Sequence, residues 1–326
     1  MTGAAPPPLP DGRAVRRITL RSAGLSAQVL TLGAIVQDLR LEGVDHPLVL
    51  GAAAPAAYLG QARYLGAIVG RCANRIGGAG FVLDGAAHRT DPNFLGRHTL
   101  HGGRDGLDLH LWRIEQEAGD RAVLSHVLPA GHMGFPGRLE IRVAIAVRDR
   151  ALVIDMQAQS DAATPCNLAH HGYFDLDGTG DIRGHELQID AERYLPVDGE
   201  LIPLPGTAPV AGTEFDFRRA RPVGATRLDH NFCLSQGPRP ARPVARLTGQ
   251  GGLGLTVVTD QPGLQVYDGR HFDGWRGLDG RCYGPHAGLA LETQGWPDAP
   301  NRGDYPSVIL RPGQIYRHHV SYRFDR

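Results

Sequence analysis

Lysine is absent from the 326 residues, and all 34 basic side chains are arginine. That excludes chemistry needing an amine that can lose its proton: Schiff-base catalysis, a lysine-anchored pyridoxal cofactor, the lysine of a Walker A loop. Cysteine is scarce, and Cys72, Cys166, Cys233 and Cys282 show neither a C-x-x-C pair nor disulfide-dense spacing. Free thiols in a reducing compartment are the expectation. Net charge is zero and no basic stripe interleaves with aromatics, so nucleic acid is not an expected partner. No apolar run approaches the ~20 residues of a membrane-spanning helix. Residues 1–12 lack the basic start and apolar core of a signal peptide and read as a loose, disordered tail. The remainder, 13–326, reads as one domain of a cytoplasmic protein.

A persuasive helical period is missing as well. Glycine and proline, 44 and 24 residues, make up about a fifth of the chain, yet 42% of residues are hydrophobic. Heavy punctuation with enough apolar mass for a core predicts many short strands joined by turns. From Leu139 to Arg148 large or branched apolar residues occupy every second position, Asp149-Arg150 makes a tight turn, and Leu152, Ile154 and Met156 resume the alternation. This predicts an antiparallel hairpin with one buried face. Weaker strand patterns cover Val15–Leu20, Ala27–Leu32, Ala122–Leu128, Leu187–Asp190, Leu255–Thr259, Gly263–Tyr267, Ser307–Leu310 and His319–Phe324. The fold class that follows is all-β, a large antiparallel β-sandwich.

Several polar residues look out of place in their apolar surroundings, although each also has a structural use. An apolar strand entering at Gly66 runs into Asn74 and Arg75 before a glycine loop. Arg75 brings five donors suited to hydroxyls or a carboxylate, although an ion pair at a strand end explains it equally well. His101 stands before two glycines, which permit close approach of a ligand or another chain, and capping a turn is its other use. In Asn167-Leu168-Ala169-His170-His171-Gly172-Tyr173, strand alternation sends His170 and His171 to opposite faces. His171 is then in phase with Asn167 and Tyr173, and a histidine can both give and take a proton near neutrality. Asp229-His230-Asn231 is a polar triplet between apolar residues, in which Asp229 suits fixing an imidazole or a sugar hydroxyl and equally capping a turn. Finally, Leu289-Ala290-Leu291 reads as the end of a buried strand, so Glu292 is a carboxylate where that strand opens into a loop, and a glutamate at the wet rim of a strand is its structural reading. Burial should raise its basicity.

Three other patterns match motifs by letter alone. Gly249–Gly254 fits G-x-G-x-x-G, but a strand pattern follows instead of a helix, so it reads as a hairpin loop. Asp175 to Glu186 resembles a calcium loop without the flanking helices that such a loop requires. His318 and His319 are strand neighbours and point apart, which makes them poor joint metal ligands.

Taken together, the segments Gly70–Ile76, Leu100–Gly103, Asn167–Phe174, Asp229–Phe232, Thr259–Gln265, Leu291–Asn301 and Leu310–Gly313 resemble, in order, the motifs of the aldose 1-epimerases (galactose mutarotases). The resemblance spans residue 66 to the C-terminal end. It implies a β-sandwich whose concave side holds a monosaccharide, and an isomerase that interconverts α and β anomers of a free aldohexose of the galactose or glucose class. It implies Glu292 as base and His171 as acid, and the reaction then calls for the two on opposite sides of the C1–O5 region with the imidazole held partly protonated. Asn74, Arg75, His101, Asp229 and Gln265 would contact substrate hydroxyls, and Trp296 would stack on the sugar. Neither a cofactor nor a metal is expected, and the chain would act as a monomer or homodimer. The chain departs from the family pattern at His170, Gly172, Asp175 and Asp268-Gly269-Arg270, which leaves the preferred sugar open. Other readings are an epimerase of hexose 6-phosphates using Arg270, Arg276 or Arg281, a non-catalytic sugar-binding protein on the same fold, and a metal enzyme built on His98, His101 and His171.

Overall fold

The computed structural model describes residues 6–326. Nine strands form one antiparallel sheet in the order Arg221–Pro222, Glu186–Ile189, Arg242–Thr248, Gly254–Thr259, Tyr316–Asp325, Ala151–Ser160, Leu139–Arg148, Arg121–Leu128 and Arg113–Glu117. Six more form a second sheet in the order Tyr173–Phe174, Leu289–Gln294, Gly263–Tyr267, Asp229–Cys233, Arg193–Tyr194 and Ala208–Pro209. Leu139, Ile141, Val143, Ile145 and Val147 of the large sheet share one apolar core with Leu264, Val266, Leu289 and Leu291 of the smaller one. Each such fully buried side chain contributes about 1.5–3 kcal/mol, so this seam is the main cohesive layer. The helical pieces among the described residues are short 3-10 turns, of which Pro55–Leu59 has five residues. None is long and apolar enough to cross a membrane.

The predicted hairpin is present over Leu139–Arg148 and Ala151–Ser160. Asp149 and Arg150 at its tip have φ of 47° and 60°, a pair of left-handed residues as in a type I′ turn. Several strands escape the hydrophobic pattern, among them Val36–Leu41 and Arg242–Thr248. In Val36–Leu41 the buried Gln37 and Asp38 interrupt the alternation. Gln37 is satisfied by donating to the Ala52 carbonyl at 2.7 Å. In Arg242–Thr248 a register shift between Pro243 and Ala245 breaks the period of two.

The three letter-only motifs resolve as structure. Gly249–Gly254 lies in the hairpin joining Arg242–Thr248 to Gly254–Thr259. The Asp175 carboxylate accepts from the backbone N–H groups of Asp177, Gly178 and Gly180, so it caps its own turn. His318 Nε2 pairs with the Thr293 hydroxyl, whereas His319 Nδ1 faces Asp155. The tail expected over 1–12 needs correction in its described part. Leu9 is only 2% exposed and packs with Val15, Leu30 and Leu32, because one apolar side chain suffices to pin a short segment onto an open core edge. Residues 1–5 of that expectation lie outside the described residues.

Candidate active site

Glu292 lies in the interior of the smaller sheet. Its strand continues to Gln294, paired opposite Gly263, so the carboxylate stands mid-strand and not at a wet rim. Asn167 fixes the following turn, accepting from Gly295 N–H at 2.8 Å and donating to Gly295 O at 3.2 Å. Leu289 and Leu291 face the core between the sheets, so alternation turns Glu292 to the opposite face with Ala290. The carboxylate is 2% exposed and its Oε2 has no hydrogen-bond partner among the described residues. Desolvation, with Asp229 adding repulsion, pushes its pKa up to about 8.

Above it runs the segment Asn167–Phe174. Gly66 N–H donates to His171 O and His171 N–H to Ala67 O, holding the backbone at the second histidine. His170 turns toward the inter-sheet core, where its Nδ1 lies 3.2 Å from the Tyr322 hydroxyl. His171 turns the other way, bringing Nε2 to 3.5 Å from Glu292 Oε1. Its ring stacks on Tyr173 at 5.0 Å between centroids and meets His101 edge-on at 5.1 Å.

Burial lowers the His171 pKa to about 4, so the free site does not hold the partly protonated imidazole expected from sequence. The loss of water outweighs the attraction of nearby acids. Burial thus acts on the two groups in opposite senses, pushing the carboxyl toward holding a proton and the imidazole toward losing one. Transfer across the 3.5 Å gap gives carboxylate and imidazolium with no exchange with solvent.

Beside this pair, Asn74 and His101 both occupy left-handed backbone, with φ of 60° and 49°. The short ladder between Arg75–Ile76 and Thr99–Leu100 holds them together. His101 N–H donates to Asn74 O at 2.9 Å, and Asn74 N–H donates to His101 Nδ1 at 3.1 Å. With Nδ1 accepting, the proton of the neutral ring is on Nε2, which makes His101 a donor. Gly102 is required by this geometry: at φ 86° a Cβ would stand 2.2 Å from Gly70 O. Arg75 donates to the Asn74 side-chain oxygen Oδ1 at 3.3 Å and to Asp229 Oδ2 at 3.0 Å. Gln265, paired directly with Glu292 across the ladder, donates to Asp229 Oδ1 at 2.7 Å.

Seven of the eight sequence-derived residues therefore converge. Trp296 is the exception. Its indole N–H donates to Pro262 O and its ring packs at 5.0 Å on Tyr305, beside Leu195 and Ala299. The turn after Gly295 carries it into a separate apolar cluster, so its assignment as a stacking surface is not supported. His98 also lies apart, engaged by Gly78 N–H and by Glu200. The trio His98, His101 and His171 is therefore not assembled. A ligand set does exist in His101, His171 and Glu292, whose donor atoms lie within 4.8 Å of one another.

Sequence reasoning missed three aromatics here. Tyr64 lies 4.8 Å from His101 and 6.1 Å from His171 between ring centroids, and no local pattern marks it. Phe94 lies under the Arg75 guanidinium at 4.8 Å. Tyr267 was legible, since it alternates in phase with Gln265 on Gly263–Tyr267, and its ring meets Tyr173 at 6.1 Å.

The model of the family "Aldose 1-epimerase" matches residues 16–323. The chain is 38% identical to a galactose mutarotase of Rattus norvegicus over 96% of its own length and 95% of the relative's. It is 35% identical to an aldose 1-epimerase of Escherichia coli, with 99% of both covered. Among solved structures, an aldose epimerase homologue from C. elegans superposes with a TM-score of 0.90 at 28% identity, covering 96% of this chain and 99% of that one. A galactose 1-epimerase from Lactobacillus acidophilus gives 0.84 at 29%, covering 97% and 96%. Sequence and architecture agree, and the chain belongs to the aldose 1-epimerase family of isomerases.

Proposed function

We propose that this enzyme interconverts the α and β anomers of a free aldohexose of the galactose or glucose class by acid–base ring opening. The observation that carries this reading is the buried Glu292–His171 pair, with His171 Nε2 3.5 Å from Glu292 Oε1 and both groups shut off from water. In the carboxylate–imidazolium form, Glu292 takes the proton of the C1 hydroxyl while His171 gives its proton to the ring oxygen. The O–H and C1–O5 bonds break, C1 becomes a carbonyl, and O5 becomes a hydroxyl. Rotation about C1–C2 followed by the reverse transfers yields the other anomer. Both reacting oxygens are carried by C1, so an adjacent acid and base serve them better than groups on opposite sides. Each such group typically supplies ~10²–10⁴-fold in rate.

Asn74, Arg75, His101, Asp229 and Gln265 fit the task of holding the remaining hydroxyls. His101 Nε2–H is a donor, the Asp229 carboxylate is an acceptor, and the Arg75–Asp229–Gln265 bonds fix both partners before the sugar arrives. Two of the arginines considered for a 6-phosphate are already engaged, Arg270 by Asp268 and Arg281 by Gly178 O, which favours an unphosphorylated substrate. The four cysteines are free, in keeping with a cytoplasmic location. Polarimetry of freshly dissolved α-galactose, α-glucose and glucose 6-phosphate tests the proposal. Catalysed mutarotation of the free sugars is expected, with that component lost and binding kept in Glu292→Gln. Unchanged turnover in this variant would falsify the assignment of the base.

A further inference from the structure

Away from this site, three side chains converge on one patch of surface: Asp105 from the loop after His101, His110 just beyond the 3-10 turn Leu107–Leu109, and His132 in the turn 132–134. His132 Nε2 lies 3.0 Å from Asp105 Oδ2 and His110 Nε2 lies 3.4 Å from Asp105 Oδ1. One donor atom from each residue lies within 4.8 Å of the other two. We propose that Asp105, His110 and His132 form a binding site for a borderline divalent cation such as Zn²⁺, with its remaining coordination positions filled by water.

The chemistry of the donor set points to this class. Two imidazoles and one carboxylate suit Zn²⁺, whereas Ca²⁺ and Mg²⁺ prefer all-oxygen sites. Bonds of about 2.0–2.1 Å to Zn²⁺ set tetrahedral ligand spacings of about 3.4 Å. The two contacts at Asp105 already span 3.0 and 3.4 Å. Closing the third side takes rotation of side chains that are 12% to 49% exposed, and the same exposure gives the ion a path in. His110 Nε2 is also 3.3 Å from the Asp105 carbonyl, so binding requires the tautomer with its proton on Nδ1. His126 supports the ring of His110, at 4.6 Å between centroids, and Trp112 backs His126 at 5.8 Å. The nearby cation Arg13 is neutralised by Asp11 at 2.7 Å and donates to Leu109 O, which limits its repulsion of a metal.

The test titrates chelator-stripped protein with Zn²⁺ alone by isothermal calorimetry, with the visible absorption of Co²⁺-loaded protein as a second readout. One equivalent per chain is expected, and His110→Gln or His132→Gln should each weaken it by at least about tenfold. Asp105→Asn, on an exposed side chain, keeps the test open should replacing an imidazole impair folding. Glu292→Gln separates this patch from the donors in the active site and is expected to leave Zn²⁺ affinity unchanged. Absence of saturable uptake overturns the proposal. So does uptake abolished by Glu292→Gln and indifferent to the changes at 105, 110 and 132.

Discussion

At the residue scale, burial gives the Glu292 carboxyl and the His171 imidazole pKa values that solvent would not permit. The value of kcat/KM for mutarotation is therefore expected to be highest between about 4 and about 8. It should fall above the upper limit as the pair loses its proton, which a pH–rate profile measures. Glu292 also links activity to stability. Its folded pKa is raised from 4.5 to about 8, so its stabilising share is complete below 4.5 and is lost as pH climbs toward 8. Glutamine suffers no such loss. Glu292→Gln should thus melt higher than the parent chain, with an advantage that widens over this window toward a few kcal/mol as an upper bound. The histidines should separate as well. His171→Asn is expected to cost ~10²–10⁴-fold in kcat. His170→Asn, which loses the Tyr322 contact, should cost about 1–3 kcal/mol of stability with little change in kcat.

At the element scale, one turn closes the long hairpin of the large sheet and another supports the strand that carries Glu292. The tip of the long hairpin places Arg150 at φ 60°, a conformation costly for any residue with a Cβ. Arg150→Gly is expected to raise stability by about 0.5–1 kcal/mol in chemical denaturation, because relief of strain exceeds the entropy gained by the unfolded chain. At the other turn, Asn167 holds Gly295 by two hydrogen bonds, and so extends the strand of Glu292 past the point where its pattern stops. Asn167→Ala should cost about 1–3 kcal/mol and lower kcat, since buried backbone groups lose their partners and the carboxylate loses its rigid support. A denaturation curve with a mutarotation assay checks both effects.

At the scale of the whole molecule, the terminal strand Tyr316–Asp325 lies between Ala151–Ser160 and Gly254–Thr259 near the middle of the nine-stranded sheet. A chain cut before Tyr316 leaves two ladders unpaired inside the core and should be recovered insoluble, which expression and fractionation would show. Much of the architecture could be read in advance, because alternation with a period of two marks any strand with one wet or polar face. Leu139–Arg148 was marked most clearly. Strands such as Val36–Leu41, where buried polar groups find partners from elsewhere in the chain, carry no such mark.

The sequence by itself determined an all-β chain without amine chemistry, and it set Glu292, His171, Asn74, Arg75, His101 and Asp229 apart from their surroundings. These features follow from residue type and spacing, which are local. The tertiary structure alone decided that Trp296 leaves the group for its own apolar cluster and that Tyr64 joins it. It also decided that desolvation, acting on two groups 121 positions apart in the numbering, raises the pKa of the carboxyl and lowers that of the imidazole. Burial depends on every strand that excludes water from a point, and no single segment encodes that sum.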